Sequence, residues 1–333
     1  MPADIGPVIL FHRAPFIRVL VVLLAAVLAA GCATPGARQR TQGPGATGVA
    51  IEVAAGVYMV HGAAGEIDPS NAGRIGNAGF VVGESGVIAI DTGTSYRHGV
   101  ALLEAIAAVT DKPIRLVLIT HARQEFLFGA AAYRERGIPV HMHRQAARLM
   151  AARCENCLKT LKRVLGDEAM RGTVMFKPDH EFDQPYQLDL IGRPLRVLYY
   201  GHTSGPGDIG VLDLQSGVLF AGGLLDQQRI PDIQDSDLER WQQALRALRE
   251  LPLEVVVPGH GPAAPASVID AVGHYLTQLE TRVLELMHAG AALSDVPDAA
   301  VLPEFKDWDQ YDTIHRRNAA IVFLRLEREQ VFK

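Results

Sequence analysis

Long apolar runs, cysteines and an excess of either charge sign are what this 333-residue sequence has least of, and each shortage narrows what it can be. Lys and Arg number 32 against 37 Asp and Glu, a formal net charge of −5, and no basic stripe gathers anywhere along the chain. Binding a phosphate backbone needs such a stripe, so nucleic acid is excluded as a partner. The uninterrupted apolar run at 19–30 has 12 residues, too few to cross a hydrocarbon core of about 30 Å. Three cysteines cannot make a disulfide framework, and no short-period repeat is present. What is there, 48% hydrophobic and 21% charged residues, suits a β-rich sandwich of roughly 200 to 250 residues with extensions.

The first 48 residues read as processing and tether rather than fold. Arg13 and Arg18 precede the apolar run, which ends in Leu28-Ala29-Ala30-Gly31-Cys32. That is the shape of a signal-peptide core, and its end resembles the bacterial lipobox, in which the cysteine is acylated and becomes the new N-terminus. Ala29 stands where Leu is more usual, and a plain secretory signal or a buried helix are the alternatives. Ala33 rather than Asp after the cysteine points, in the lipoprotein sorting pattern, to the outer membrane. The expected organisation is a signal peptide over 1–31, a Gly/Thr/Gln-rich tether over 32–48 and a folded domain over 49–333 with a C-terminal helical extension. The chain would then sit lipid-anchored at Cys32 on the periplasmic side of a bacterial envelope. In that oxidising compartment Cys154 and Cys157 read as a local disulfide, with free buried thiols or a redox pair as alternatives, because no second ligand pair lies nearby to make a zinc site.

Beyond the tether, strand-like and helix-like segments alternate. Residues 51–61, 79–82 and 87–90 read as strands, the last ending in the turn Asp91-Thr92-Gly93. Ser95 can cap a helix over 96–110 that leaves His98 and Glu104 outward. The aliphatic run 114–119 is a buried strand that delivers Thr120-His121 at its end. A helix over 127–136, a strand over 138–142, a helical pair over 144–165 and a strand-rich stretch over 178–213 follow. Then come a strand at 218–221, a helix at 235–250, a strand at 255–257 and helices over 267–288 and 313–327. Two successive half-sets of this kind suit two packed sheets with helices outside.

Three histidines each follow a strand-like run: Thr120-His121, Gly201-His202-Thr203 and Pro258-Gly259-His260-Gly261. Taken singly each is a surface or structural histidine; together, on glycine-rich strand-end loops, they can converge on a metal. Asp91 reads as a structural acceptor at its turn, Asp208 as a loop organiser rather than a ligand, and His141 and His143 as surface residues.

With Asn77-Ala78-Gly79-Phe80, Asp91-Thr92-Gly93, Leu219-Phe220-Ala221-Gly222 and the turn from His202 to Asp208, these loops resemble the metallo-β-lactamase superfamily from about Val53 to Glu327. Arg153-Cys154-Glu155-Asn156-Cys157-Leu158 and residues 226–231 make the resemblance closer to the periplasmic metallohydrolases of quinoprotein dehydrogenase relay systems. The resemblance implies a mixed α/β, four-layer αββα sandwich and a dinuclear zinc site. Two zincs would polarise a carbonyl or ester and generate hydroxide from a bridging water.

The ligand set that the resemblance implies is broken here. The family's H-x-H-x-D-H run reads His121-Ala122-Arg123-Gln124-Glu125-Phe126, and the bridging aspartate position is Gly223. His121 and His202 remain for one metal, Glu125 and His260 for the other, and Phe, Gly and Arg offer no donor. One zinc or none is therefore expected. The guanidinium of Arg123 is expected either to plug the vacancy among Glu125, His121 and His202 or to turn to solvent. Asp226 lies too far past Gly223 to replace it simply, and is counted with Arg123 and Gly223 as cleft lining. Two functions follow as expectations. One is a binding or accessory module whose cleft holds a small anionic or quinone-related molecule, or a quinoprotein dehydrogenase component, with Arg123 as anchor. The other is a one-metal hydrolase of an ester- or thioester-like small molecule.

Overall fold

The computed structural model describes residues 48–331; the signal-peptide, Cys32 and tether expectations fall on residues outside that range, apart from Gly48. Twelve strands form two sheets. The first, of seven strands, runs in chain order: β1 (Ala50–Ala54), β2 (Val57–Val60), β3 (Ala78–Val82), β4 (Val87–Ile90), β5 (Ile114–Ile119), β6 (Val140–His143) and β7 (His180–Phe182). The second has five: β8 (Tyr186–Leu188), β9 (Leu195–Tyr199), β10 (Ile209–Asp213), β11 (Val218–Gly222) and β12 (Val255–Pro258), also in chain order across the sheet. The helices are α1 (Tyr96–Ala107), α2 (Gln124–Leu127), α3 (Ala130–Glu135), α4 (Arg144–Leu165), α5 (Leu238–Arg249), α6 (Val268–His288), α7 (Val296–Ala299) and α8 (Arg316–Val331). No helix among the described residues is long and apolar enough to cross a membrane.

The period-two alternation of the central strands creates the layers. In β4 and β5, Ile88, Ile90, Leu116 and Leu118 face the second sheet, where they meet Val197, Ile209, Val211 and Phe220. Their neighbours Val87, Ala89, Val117 and Ile119 face the opposite way, onto Leu103, Ile106, Tyr133 and Met150 of the flanking helices. Strands apolar on both faces are those covered on both sides. On the far side of the second sheet, Leu212, Leu219 and Val256 pack against Trp241, Leu245, Val272 and Tyr275. The result is helix, sheet, sheet, helix: the αββα sandwich expected from the sequence.

Several local expectations change. Residues 51–61 are two strands, not one, because Gly56 at φ +73° turns the chain between β1 and β2. The expected pair of helices over 144–165 is one continuous helix of 22 residues. The expected helix at 127–136 is shortened to α3, Ala130–Glu135, and Leu127 instead ends the separate short helix α2. His98 does not face outward: it is 4% exposed, its ring against Gly93 and its Nδ1 accepting the Thr94 N–H at 3.2 Å. His143 is likewise buried, accepting the N–H of Gln145 to cap α4, and its ring stacks on Tyr199. A side chain at a turn or cap is recruited by backbone donors that periodicity does not reveal.

Candidate functional site

The site lies at the strand ends where β5, β11 and β12 deliver their following loops. The parallel runs β4–β5 and β11–β12 bring those ends to one edge, so His121, Gly223 and His260 meet although distant in sequence. They line a cleft of about 460 Å³ together with Arg123, Glu125 and Asp226.

Asp91 anchors the His121 loop. It adopts φ +60°, held there as its carboxylate accepts both the Thr120 N–H and the Thr120 hydroxyl at 2.8 Å. Thr120 Oγ1 also lies 2.7 Å from His121 Nδ1. With the hydroxyl proton committed to Asp91, Nδ1 is the nitrogen that carries the imidazole proton, leaving the Nε2 lone pair free. Burial lowers the His121 pKa to about 3, reinforced by the nearby Arg123 charge and opposed by Glu125. This histidine is neutral.

Phe126 packs against both histidines without lining the cleft itself. Its carbonyl is clamped by the Thr92 N–H at 2.7 Å and the Thr92 hydroxyl at 2.9 Å. Its ring, fully buried, lies 4.1 Å from the His121 ring and edge-on to the His260 ring at 5.2 Å, centroid to centroid. Gly76 leaves the space for it: a Cβ there would come within 2.6 Å of Phe126 Cζ. The sequence reading counted Phe126 only as a missing donor; the structure gives it the space between two histidines.

On the other side, His260 is held in a tight turn. Asn77 donates from Nδ2 to the carbonyls of Pro258 and Gly261 at 2.8 Å, and from its N–H to that of Gly259. Gly261, at φ +85°, passes so close to the Gln227 carbonyl that a Cβ would stand 2.0 Å from it. His260 Nδ1 lies 2.8 Å from Asp226 Oδ1, and Nε2 lies 3.3 Å from Glu125 Oε1, close as ions but off the line of a hydrogen bond. Burial works to lower the His260 pKa, yet Asp226 and Glu125 together raise it. Burial likewise works to raise Glu125, but contact with His260 and the charge of Arg123 bring it down to about 2. This side of the cleft is ionic.

Arg123 does neither of the things expected of it. It plugs no vacancy among Glu125, His121 and His202, nor does it point wholly to water. Its Nη1 donates to Asp232 Oδ2 at 2.7 Å and its Nη2 to the Asp232 carbonyl at 3.1 Å, with 28% of the side chain exposed. Arg317 binds the same Oδ2 at 2.7 Å, so two guanidiniums share one carboxylate at the cleft wall. Asp232 had no signal in the sequence, since a carboxylate reveals its cation only in three dimensions. Asp226, expected as general lining, is the orienting partner of His260. His202 turns its Nε2 to the Asp235 carbonyl and is not among the cleft-lining residues.

Gly223 is crowded by two neighbouring side chains. A Cβ there would meet Asp208 Oδ2 at 2.8 Å and His121 Cδ2 at 3.0 Å. Asp208, expected as a loop organiser, is buried and accepts the Ser204 hydroxyl at 2.7 Å; burial raises its pKa to about 6 against that bond. Cys154 and Cys157 stand as thiols on the cleft-facing side of α4, their Sγ atoms 3.2 Å apart.

Among the described residues no three His, Cys, Asp or Glu side chains converge in a metal-binding group. The donor set fits two zincs poorly: an apolar ring packs against both histidines, and Gly223 supplies no bridging carboxylate.

The family model of the metallo-beta-lactamase superfamily matches residues 71–260. No curated protein matches the sequence. Among solved structures, the chain resembles a metallo-beta-lactamase from Pontibacter korlensis at TM-score 0.57 and 22% identity, over 68% of this chain and 98% of that one. It resembles a double mutant of the sec-alkyl sulfatase PisA1 at TM-score 0.65 and 17% identity, over 84% of this chain and 50% of that one. The mono-zinc form of the metallo-beta-lactamase FIM-1 from Pseudomonas aeruginosa aligns at TM-score 0.55 and 21% identity, over 69% and 95%. At such identities the likeness is one of fold.

Proposed function

The chain belongs to the metallo-beta-lactamase superfamily, and from that premise we propose that it is a binding or accessory member whose zinc site is degenerate. The observation that carries this reading is the Phe126 ring between His121 and His260. A dication pair there would find an apolar ring where a donor is needed and would sit beside Arg123 without a bridging carboxylate. The cleft is left as a binding site of about 460 Å³, within the range of small-molecule pockets. Arg123 and Arg317 share the one carboxylate of Asp232, and their guanidinium N–H groups suit a carboxylate or another small anion, including an acidic quinone. Attachment to the envelope through Cys32 and a place beside a quinoprotein dehydrogenase component belong to the same proposal, resting on the lipobox-like end and the relay-type motifs.

One observation favours a second reading. His260 Nε2 is buried without a hydrogen bond, beside Glu125, and a single zinc taken there would make the chain a one-metal hydrolase of esters or thioesters. Zinc is in keeping with the family, and His260 and Glu125 would be its holders. The two readings separate in one experiment: thermal-shift titration of the protein and of Arg123→Ala with small carboxylates and quinones, beside an ester-hydrolysis assay with and without zinc. The binding reading expects stabilisation that Arg123→Ala loses and no zinc-dependent turnover. Zinc-dependent turnover with no stabilisation by any of these compounds would replace it with the hydrolase.

A further inference from the structure

The wall of the cleft formed by α4 carries chemistry that neither reading uses. Cys154 and Cys157 are three residues apart on one helix, so both point the same way, and their sulfurs lie 3.2 Å apart within a continuous 22-residue helix. A disulfide requires about 2.05 Å, an approach of roughly an ångström for rotation of the two side chains to supply. The two thiols differ in access. Cys154 is buried at 2% exposure, whereas Cys157 is half-buried, and both line the cleft. A pair with one reachable sulfur and one sheltered sulfur beside it has the parts of an attacking and a resolving thiol.

We propose that Cys154 and Cys157 form a thiol–disulfide exchange site whose substrate is a small disulfide admitted through the cleft. The Cys157 thiolate attacks one sulfur of the disulfide R–S–S–R. A bond forms between Cys157 Sγ and that sulfur as the S–S bond breaks, and R–S⁻ leaves and takes up a proton. Cys154, deprotonated, then attacks Cys157 Sγ, closes the Cys154–Cys157 disulfide and expels the second R–S⁻. Two protein thiols are oxidised by two electrons, and one external disulfide is reduced to two thiols, so no other oxidant is needed.

The electrostatics assign the same order. The hydrogen bond linking the sulfurs lowers the Cys157 pKa, while that bond and then burial raise Cys154, so the reachable sulfur is the one that ionises. Once Cys157 is bonded to R–S, Cys154 no longer faces a neighbouring thiolate, and it is the nearest thiol, its Sγ having stood 3.2 Å from Cys157 Sγ. The inference is independent of whether the cleft also binds an anion or a metal.

The test uses the full chain and 2-hydroxyethyl disulfide as the probe, with tryptic mapping of the peptide spanning 154–159, which holds both thiols and separates them from Cys32. In the reduced wild type, exposure to the probe should convert that peptide to a form lighter by two hydrogens, with 2-mercaptoethanol released. In Cys154→Ser the same exposure should stop at a mixed disulfide on Cys157. In Cys157→Ser, Cys154 should react at least about ten-fold more slowly. Circular dichroism of each serine variant checks that α4 is intact. Overturning results are a wild-type peptide that stays fully alkylatable after the probe, or equal reaction of Cys154 and Cys157 in the two folded variants. A wild-type product carrying two mixed disulfides and no internal bond would also overturn it.

Discussion

The two sides of the cleft begin from the same residue type and end with opposite physics. His121 sits in a neutral setting, its proton directed to Thr120 and its ring against Phe126. His260, on the far side of that ring, stands between Asp226 and Glu125. Burial is nearly the same, 1% and 7% exposed, so what separates them is the partners. Charge inside a protein is tolerated where it is paired and is avoided elsewhere, and the cleft contains one instance of each.

The strongest way to break the contrast is to remove the partition. Phe126→Ala should cost about 3 to 5 kcal/mol, as for a fully buried aromatic whose cavity cannot collapse, measured by denaturant unfolding. A cost below about 1 kcal/mol would show that the ring is not packed as described.

Next is the same substitution made on both sides. His260→Leu strands two mostly buried carboxylates and should cost about 3 kcal/mol, whereas His121→Leu loses one hydrogen bond and should cost about 1 kcal/mol. Equal costs would erase the comparison.

Acidification sharpens it. The folded-state pKa of His121, lowered to about 3, lies below its unfolded value near 6.5, so as pH falls below 6.5 the unfolded chain takes up a proton that the folded one refuses. The stability lost this way is about 2 kcal/mol at pH 5, and His121→Leu should abolish that part of the slope in chelator-treated protein. His260 has the opposite sign: its raised pKa contributes stability that is fully present below 6.5 and disappears as pH rises through the folded value. Parallel pH profiles for the two leucine variants would contradict the assignment of charge.

The smallest effect belongs to Arg123. Its carboxylate partner keeps Arg317 and the Gln234 N–H, so Arg123→Ala should change stability by less than about 1 kcal/mol while weakening anion binding. Had Arg123 plugged the vacancy, one of the two placements expected from the sequence, Arg123→Ala would destabilise the fold by leaving Glu125 unpaired. His260 at Glu125 removes its basis.

Much of the scaffold was legible because it follows from short-range pattern: aliphatic runs of strand length, Ser95 before a helix, glycine turns after β11 and β12. The candidate residues were legible as a set of strand-end loops. Their pairing was not. Which acceptor takes Arg123 depends on Asp232, 109 positions away, and which way His98 and His143 point depends on backbone donors in the turns around them. Phe126 shows the gap best, since substitution at a ligand position states what is lost but not what fills the space.

The account rests most on that filled space, and elemental analysis of the full chain, purified without added zinc and then dialysed against zinc, tests it most directly. With Phe126 packed against both histidines and no carboxylate at Gly223, zinc should stay well under two equivalents per chain, and the protein should show no β-lactamase activity. Restoring donors with Arg123→His, Phe126→His and Gly223→Asp should raise uptake only if Asp208 also moves aside, because a Cβ at 223 meets its carboxylate at 2.8 Å. Two tightly held zincs in the unaltered protein would contradict the account.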